Sequence, residues 1–177
     1  MGSVPCGILA TMNLLPHRRP LYTLGFLIAT GLMGFALYLQ HALGEDPCPL
    51  CIFQRIFMIA LGVIFLLAAL HNPRDMGARI YAVLLALTAG TGAAIAARQV
   101  WLQHLPPDEV PACGPGLSYI LQAHPFLKAL EVVLKGSGEC AAVGWRFLTL
   151  SIPEWTLLWF IALGLIGVVQ IYNRRSS

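Results

Sequence analysis

Cys48-Pro49-Leu50-Cys51-Ile52-Phe53-Gln54-Arg55 stands at the opening of an apolar run that continues to about Leu70. Two cysteines separated by two residues close into a small ring when oxidised, and such pairs exchange disulfides readily. Arg55 lies one turn further on, a fixed charge inside a segment otherwise suited to hydrocarbon. A charge there is costly unless it holds a ligand or a counter-charge. A dithiol at the mouth of a membrane helix, with a cation just inside it, is therefore the starting point for both fold and chemistry.

Working outward, three more apolar runs approach the ~20 residues that a membrane crossing needs. They cover about Leu21–Leu39, Ile80–Leu102 and Trp155–Tyr172, with about Leu50–Leu70 as the second of four. The 177 residues are 58% hydrophobic and 11% charged, against roughly 25% charged in a soluble domain. The expected fold is an all-α membrane protein, a single four-transmembrane-helix bundle over residues 1–177. Gly25, Gly31 and Gly34 in the first run, and Ala86, Ala89, Gly90, Gly92 and Ala93 in the third, offer surfaces for close helix packing. The net charge of +3 is too small and too dispersed to argue for nucleic acid.

The placement of charge sets the expected orientation. Arg18 and Arg19 precede the first run, Arg74 and Arg79 flank the second turn, and Arg174 and Arg175 follow the fourth. Basic ends stay in the cytoplasm, so both termini belong there. The loops at about 41–49 and 103–154 then face outside. The first run is too long for the apolar core of a cleaved signal peptide. Met12 is an alternative start, and Cys6, on the reducing side, is read as a bystander.

The second outer loop holds Cys113 and Cys140. Pro106, Pro107, Pro111, Gly114, Pro115 and Gly116 make its first part irregular. Pro125 then fits the start of a helix and Gly136 its stop. Phe126, Leu127, Leu130, Val133 and Leu134 share one face of that helix, so it is expected as a short amphipathic helix in the membrane interface, the alternative being packing on the outer end of the bundle. Gly136-Ser137-Gly138 reads as a flexible arm for Cys140.

Pro47 and Pro49 restrict the backbone around Cys48, and Cys51 falls near a helix N-terminus, where a thiolate is favoured. Arg55, on the same helix face, can hold that thiolate or a reduced, anionic acceptor; the competing reading is an interface anchor. A Cys113–Cys140 disulfide would restrain its loop by roughly 3–4 kcal/mol, whether as a structural staple or as an exchange partner for the first pair. Zinc is the other use of four cysteines, but only one pair here is close in sequence. Gln99 and Gln103, near the outer end of the third run, can hydrogen-bond a ring carbonyl or a neighbouring helix. Arg98 is an alternative contact at the same level.

These residues resemble the disulfide bond formation protein B (DsbB) family of bacterial inner membranes. The likeness runs from Cys48 to Arg55 and through Trp101-Leu102-Gln103, Cys113 and Gly138-Glu139-Cys140-Ala141. It continues at Trp145 with Phe147-Leu148, and at Pro153-Glu154-Trp155. The resemblance implies an inner-membrane thiol:quinone oxidoreductase with its cysteine loops in the periplasm. A reduced thioredoxin-like oxidase of the DsbA type would attack Cys113 of a Cys113–Cys140 disulfide. Cys140 would then attack Cys48 and free Cys51 beside a bound ubiquinone or menaquinone, with Arg55, Gln99 and Gln103 lining the quinone site. Some family members have histidine where this chain has Gln99. The alternative is a four-span interaction scaffold, stapled by disulfides and without turnover.

Overall fold

In a computed structural model the described residues are 18–44, 46–74, 76–106, 108–112, 119, 122 and 125–172. Four long helices dominate: α1 (Arg18–Leu43), α2 (Pro49–His71), α3 (Met76–Gln103) and α6 (Ile152–Tyr172). All four are long and apolar enough to cross a membrane. Each exceeds its apolar run by a few residues, because helical hydrogen bonding continues into flanking residues that hydropathy does not mark. Between α3 and α6 lie α4 (Phe126–Lys135), the single turn α5 (Gly138–Ala141) and a two-stranded hairpin, β1 (Arg146–Phe147) with β2 (Leu150–Ser151).

Local sequence explains the ends that shape the site. Cys48 is the N-cap of α2, its sulfur accepting the Cys51 N–H at 3.3 Å, and Pro49 occupies the first turn, where no backbone donor is needed. Asn72 closes the other end in the left-handed region, φ 43°, with its N–H returned to the Ala68 carbonyl. At α6, Ser151-Ile152-Pro153-Glu154 forms one half of a capping box: the Glu154 carboxylate accepts the Ser151 N–H at 2.6 Å. The hairpin β1–β2 pairs Arg146 with Ser151 and Phe147 with Leu150, and leads directly into this cap.

The long helices pack in the order α1–α2–α3–α6, while α1 and α6 meet only slightly. Aromatic rings fill the notches left by glycine. A Cβ on Gly25 would come within 2.7 Å of the Phe65 ring, and one on Gly92 within 2.4 Å of Phe160. Ala89 faces Gly164 in the same α3–α6 seam. Gly31, Gly34 and Gly90, expected to serve the same purpose, have no neighbour within 4 Å of an added Cβ; composition marked the small residues but not which face was covered. The main core joins Tyr22, Met58, Leu61, Phe65, Leu85, Phe160 and Leu163. Leu24, Leu27, Ile56, Val63, Leu84, Leu87, Leu158 and Leu165 stay exposed on the outside of the bundle, as expected of surfaces that face lipid.

A second cluster covers one end of the bundle: Cys48, Leu50, Ile95, Leu102, Val133 and Cys140. Helix α4 docks there through Val133, with Val132 packed beside it, leaving Leu127 79% exposed. Arg98 donates to the Leu134 and Lys135 carbonyls at the end of α4, and its guanidinium lies 4.2 Å from the centre of the Trp101 ring. This corrects the reading of Arg98 as a contact for a bound ring. The glycine arm before Cys140 is also folded. Gly136 adopts φ 81°, so close to Leu102 that a Cβ would come within 2.3 Å, and the Gly138 N–H bonds the Ala112 carbonyl at 3.3 Å.

Candidate active site

The first turn of α2, the outer third of α3 and the turn α5 bring three of the four outer cysteines together. The Cys48 and Cys51 sulfurs lie 2.8 Å apart as free thiols. Cys140, fully buried, packs in one cluster with Cys48 and Leu50, and its sulfur lies 3.8 Å from the Ser137 hydroxyl. The open end of α2 thus directs the Cys51 N–H at the Cys48 sulfur, and the Leu50 backbone helps to lower Cys140. The sequence pointed to Cys51 as the beneficiary of this helix end; its own sulfur instead lies on the α3 side. Cys113 and Cys6 lie outside the described residues. Ala112, next to Cys113 in the chain, is bonded to Gly138, two residues before Cys140.

Electrostatics sort the two thiols that lie outside the membrane-spanning helices. Hydrogen bonding from Cys48, outweighing burial and aided by the backbone at Ser137 and Leu50, lowers Cys140 to about 6. Cys48 moves the other way: its contacts with Cys140 and then Cys51, together with burial, raise it. Cys140 is therefore the better thiolate of the two.

Gln99 sits against the dithiol. Its Nε2 lies 3.3 Å from the Cys48 sulfur and 3.2 Å from that of Cys51, and its Oε1 accepts from Gln54 Nε2 at 2.6 Å. Both glutamines are buried. Arg55 donates to Gln40 Oε1 at 2.5 Å and to the Ala36 carbonyl at 3.3 Å, which ties it to α1. Gln103 accepts the Ser151 hydroxyl at 2.8 Å. Sequence reasoning missed Gln40, Gln54 and Ser151. The signals were there: Gln40 and Gln54 are polar residues in apolar runs, and Ser151 begins a capping-box pattern.

A cavity of about 640 Å³ opens beside the dithiol. Cys48, Cys51, Gln54, Arg55, Gln99 and Gln103 line its polar side. Leu32, Met33, Phe35, Ala36 and Leu39 of α1 face Ile152, Trp155, Thr156 and Trp159 of α6 across it. Its rim is aromatic: Trp145 stacks on Phe147 with centroids 5.8 Å apart, and Phe35 meets Trp145 edge-on. Trp155 donates its indole N–H to the Phe147 carbonyl, fixing the hairpin to α6.

A bundle of four apolar helices with a dithiol at the edge of an apolar cavity defines a multi-pass membrane protein equipped for thiol–disulfide chemistry. The sequence profile of Disulfide bond formation protein DsbB matches residues 18–170. Disulfide bond formation protein B of Hahella chejuensis is 57% identical over 144 residues, covering 81% of this chain and 87% of the relative. The protein of that name from Marinobacter nauticus is 48% identical over 161 residues, 89% and 96% of the two chains. Disulfide bond formation protein B 1 of Pseudomonas aeruginosa is 49% identical over 160 residues, 90% and 98%. The chain belongs to the DsbB family.

Proposed function

We propose that the chain oxidises the dithiol of a periplasmic thioredoxin-like oxidase of the DsbA type and passes the electron pair to a quinone of the inner membrane. The observation that carries this reading is the gathering of three cysteines, Cys140 packed with Cys48 and Cys48 2.8 Å from Cys51, at a cavity that Arg55 also lines. The partner's thiolate attacks Cys113 of a Cys113–Cys140 disulfide, and the bonding pair leaves on Cys140. Cys140 attacks Cys48; the Cys48–Cys51 bond breaks and its pair leaves on Cys51. The helix end and the Leu50 N–H favour Cys140 as the attacking thiolate. The second partner thiol then displaces Cys113 and completes the partner's disulfide, and Cys113 displaces Cys48 from Cys140, which re-forms Cys113–Cys140 and leaves Cys48 and Cys51 as the dithiol that gives up the electron pair.

The residues fit a quinone. The cavity falls within the ~300–1,000 Å³ of small-molecule sites, apolar with a few convergent polar groups. Arg55 and the Gln103 amide supply donors at its polar side, and Trp145, Trp155, Trp159 and Phe35 supply flat apolar walls. A quinone held there would supply the acceptor for the two electrons and two protons that the dithiol gives up. The role of Arg55 is to hold negative charge at that edge of the cavity, with Gln40 and Ala36 fixing its guanidinium. The exposed Leu127 and Leu134 of α4 suit a position in the membrane interface on the periplasmic side.

The test is quinone reduction by the purified chain, followed by ultraviolet absorbance, with a reduced thioredoxin-like partner as donor. Turnover in the wild type and none in Cys51→Ser is expected. Equal rates in the two, or no turnover with ubiquinone or menaquinone while Cys113 and Cys140 are disulfide-bonded, would reject the oxidase and favour the stapled scaffold.

A further inference from the structure

The buried amides of Gln54 and Gln99 sit on the sulfurs, yet nothing in the electron path just described uses them. From their geometry we infer that Gln99 is a catalytic residue of the Cys48–Cys51 pair, its amide N–H groups stabilising the reduced sulfurs, and that Gln54 is the positioning residue that fixes its orientation. The inference rests on the reading of that pair as redox-active and adds to it the group that makes its disulfide easy to open.

A carboxamide has two N–H donors and one carbonyl acceptor. Gln99 Nε2 faces both sulfurs, at 3.3 and 3.2 Å, within the range for sulfur acceptors. The opposite orientation would bring Oε1 against them and repel an anionic sulfur. Gln54 prevents it: its Nε2 donates to Gln99 Oε1 at 2.6 Å, a bond that a reversed amide would replace with two opposed donors. Oε1 is also 3.6 Å from the Cys51 sulfur, so the amide offers a protonated Cys51 an acceptor and an ionised one a donor. Gln54 and Gln99 are 5% and 3% exposed. Water therefore does not compete, and a hydrogen bond to charge is strong in such a place.

The consequence follows from the bonding. As the Cys140–Cys48 bond forms, the Cys48–Cys51 bond breaks and its electron pair goes to Cys51, onto which the Gln99 N–H already points. A disulfide sulfur is a poor acceptor and a thiolate a good one, so the amide lowers the energy of the reduced pair more than that of the oxidised pair. A stabilised reduced form makes a disulfide a stronger oxidant. The amide also carries no ionisable proton, so its contribution persists at any pH at which the thiolate exists.

The experiment needs neither quinone nor partner. The full chain, with Cys113→Ala and Cys140→Ala to isolate the pair, is equilibrated in glutathione buffers. The fraction of Cys48–Cys51 disulfide is then read by alkylation and mass spectrometry. In Gln99→Met, similar in length but without a donor, the equilibrium constant for reduction falls by about ten-fold or more, the effect of losing a hydrogen bond to charge. Gln99→Leu, a second donor-free side chain, moves it the same way. Gln54→Met gives a smaller fall, and combining it with Gln99→Met gives no further fall, because Gln54 acts only through Gln99. Constants within about two-fold of the parent in both Gln99 variants would overturn the catalytic role. A Gln54→Met effect that adds in full to Gln99→Met would overturn the positioning role. If the parent shows no quinone turnover yet the constants shift as stated, the oxidase reading fails and this inference stands. Normal turnover with unshifted constants rejects this inference alone.

Discussion

Replacing Cys48 with alanine removes the principal group that holds Cys140 at about 6, against an ordinary 9.0. The backbone contacts at Leu50 and Ser137 remain, so the midpoint should settle between the two values, at least about one unit above the parent. A rate measured at one pH would hide this. At pH 7 a thiol with a pKa of 6 is about 90% ionised and one of 9 about 1%. Intrinsic nucleophilicity falls with pKa, however, by about 15- to 30-fold over three units. The net gain in rate is then only about three- to six-fold. The assay is therefore a full titration of the reduced chain by thiolate ultraviolet absorbance, with the Cys140→Ala curve subtracted. Thiolate should be present above pH 6 and lost as pH falls through it. By linkage, the stability gained from the depressed value is fully present above about pH 9 and disappears as pH falls to about 6. Cys48→Ser, which keeps a donor, should lie between parent and alanine variant. A parent midpoint near 9, or an unchanged midpoint in Cys48→Ala, would refute the lowering of Cys140 by Cys48.

Gly92→Ala should destabilise the bundle by about 1–3 kcal/mol, since its Cβ meets the Phe160 ring at 2.4 Å, whereas Gly90→Ala, with no neighbour within 4 Å, should not; thermal unfolding in detergent compares them. Gln40→Leu releases Arg55 from α1 and should raise the quinone KM by about ten-fold while leaving disulfide exchange with the partner intact, as steady-state kinetics would show. Val133→Asp places a charge in the cluster that contains Cys140 and should loosen α4, seen as faster hydrogen exchange in residues 126–135.

The four helices were legible because hydropathy acts on each segment by itself, and the CxxC with Arg55 marked the site because a cation is conspicuous among Ile52, Phe53 and Phe57. What the sequence could not give was rotation about each helix axis. Gln99 and Gln103 lie one turn apart on α3, yet one turns to sulfur and the other to Ser151. Arg98, one residue earlier, turns away from the cavity to the end of α4. The folded arm before Cys140 was likewise hidden, since Gly136 reads as flexible until Leu102 is seen packed against it. Gln40 was overlooked because its role depends on α1 lying beside α2, a contact made between distant parts of the chain.

The slight contact between α1 and α6, with the cavity between them, has a practical consequence for anyone handling this protein. A cavity between these helices that takes up the proposed quinone from the lipid phase would also take up the alkyl tail of a solubilising detergent. Leu32, Leu39, Ile152 and Trp159 offer such a tail the same walls they offer any other apolar guest. Detergent then acts as a competitor rather than an inert medium. Apparent affinities for a hydrophobic substrate will shift with tail length and micelle concentration, and values from nanodiscs and from micelles will differ for a reason built into the spacing of two helices.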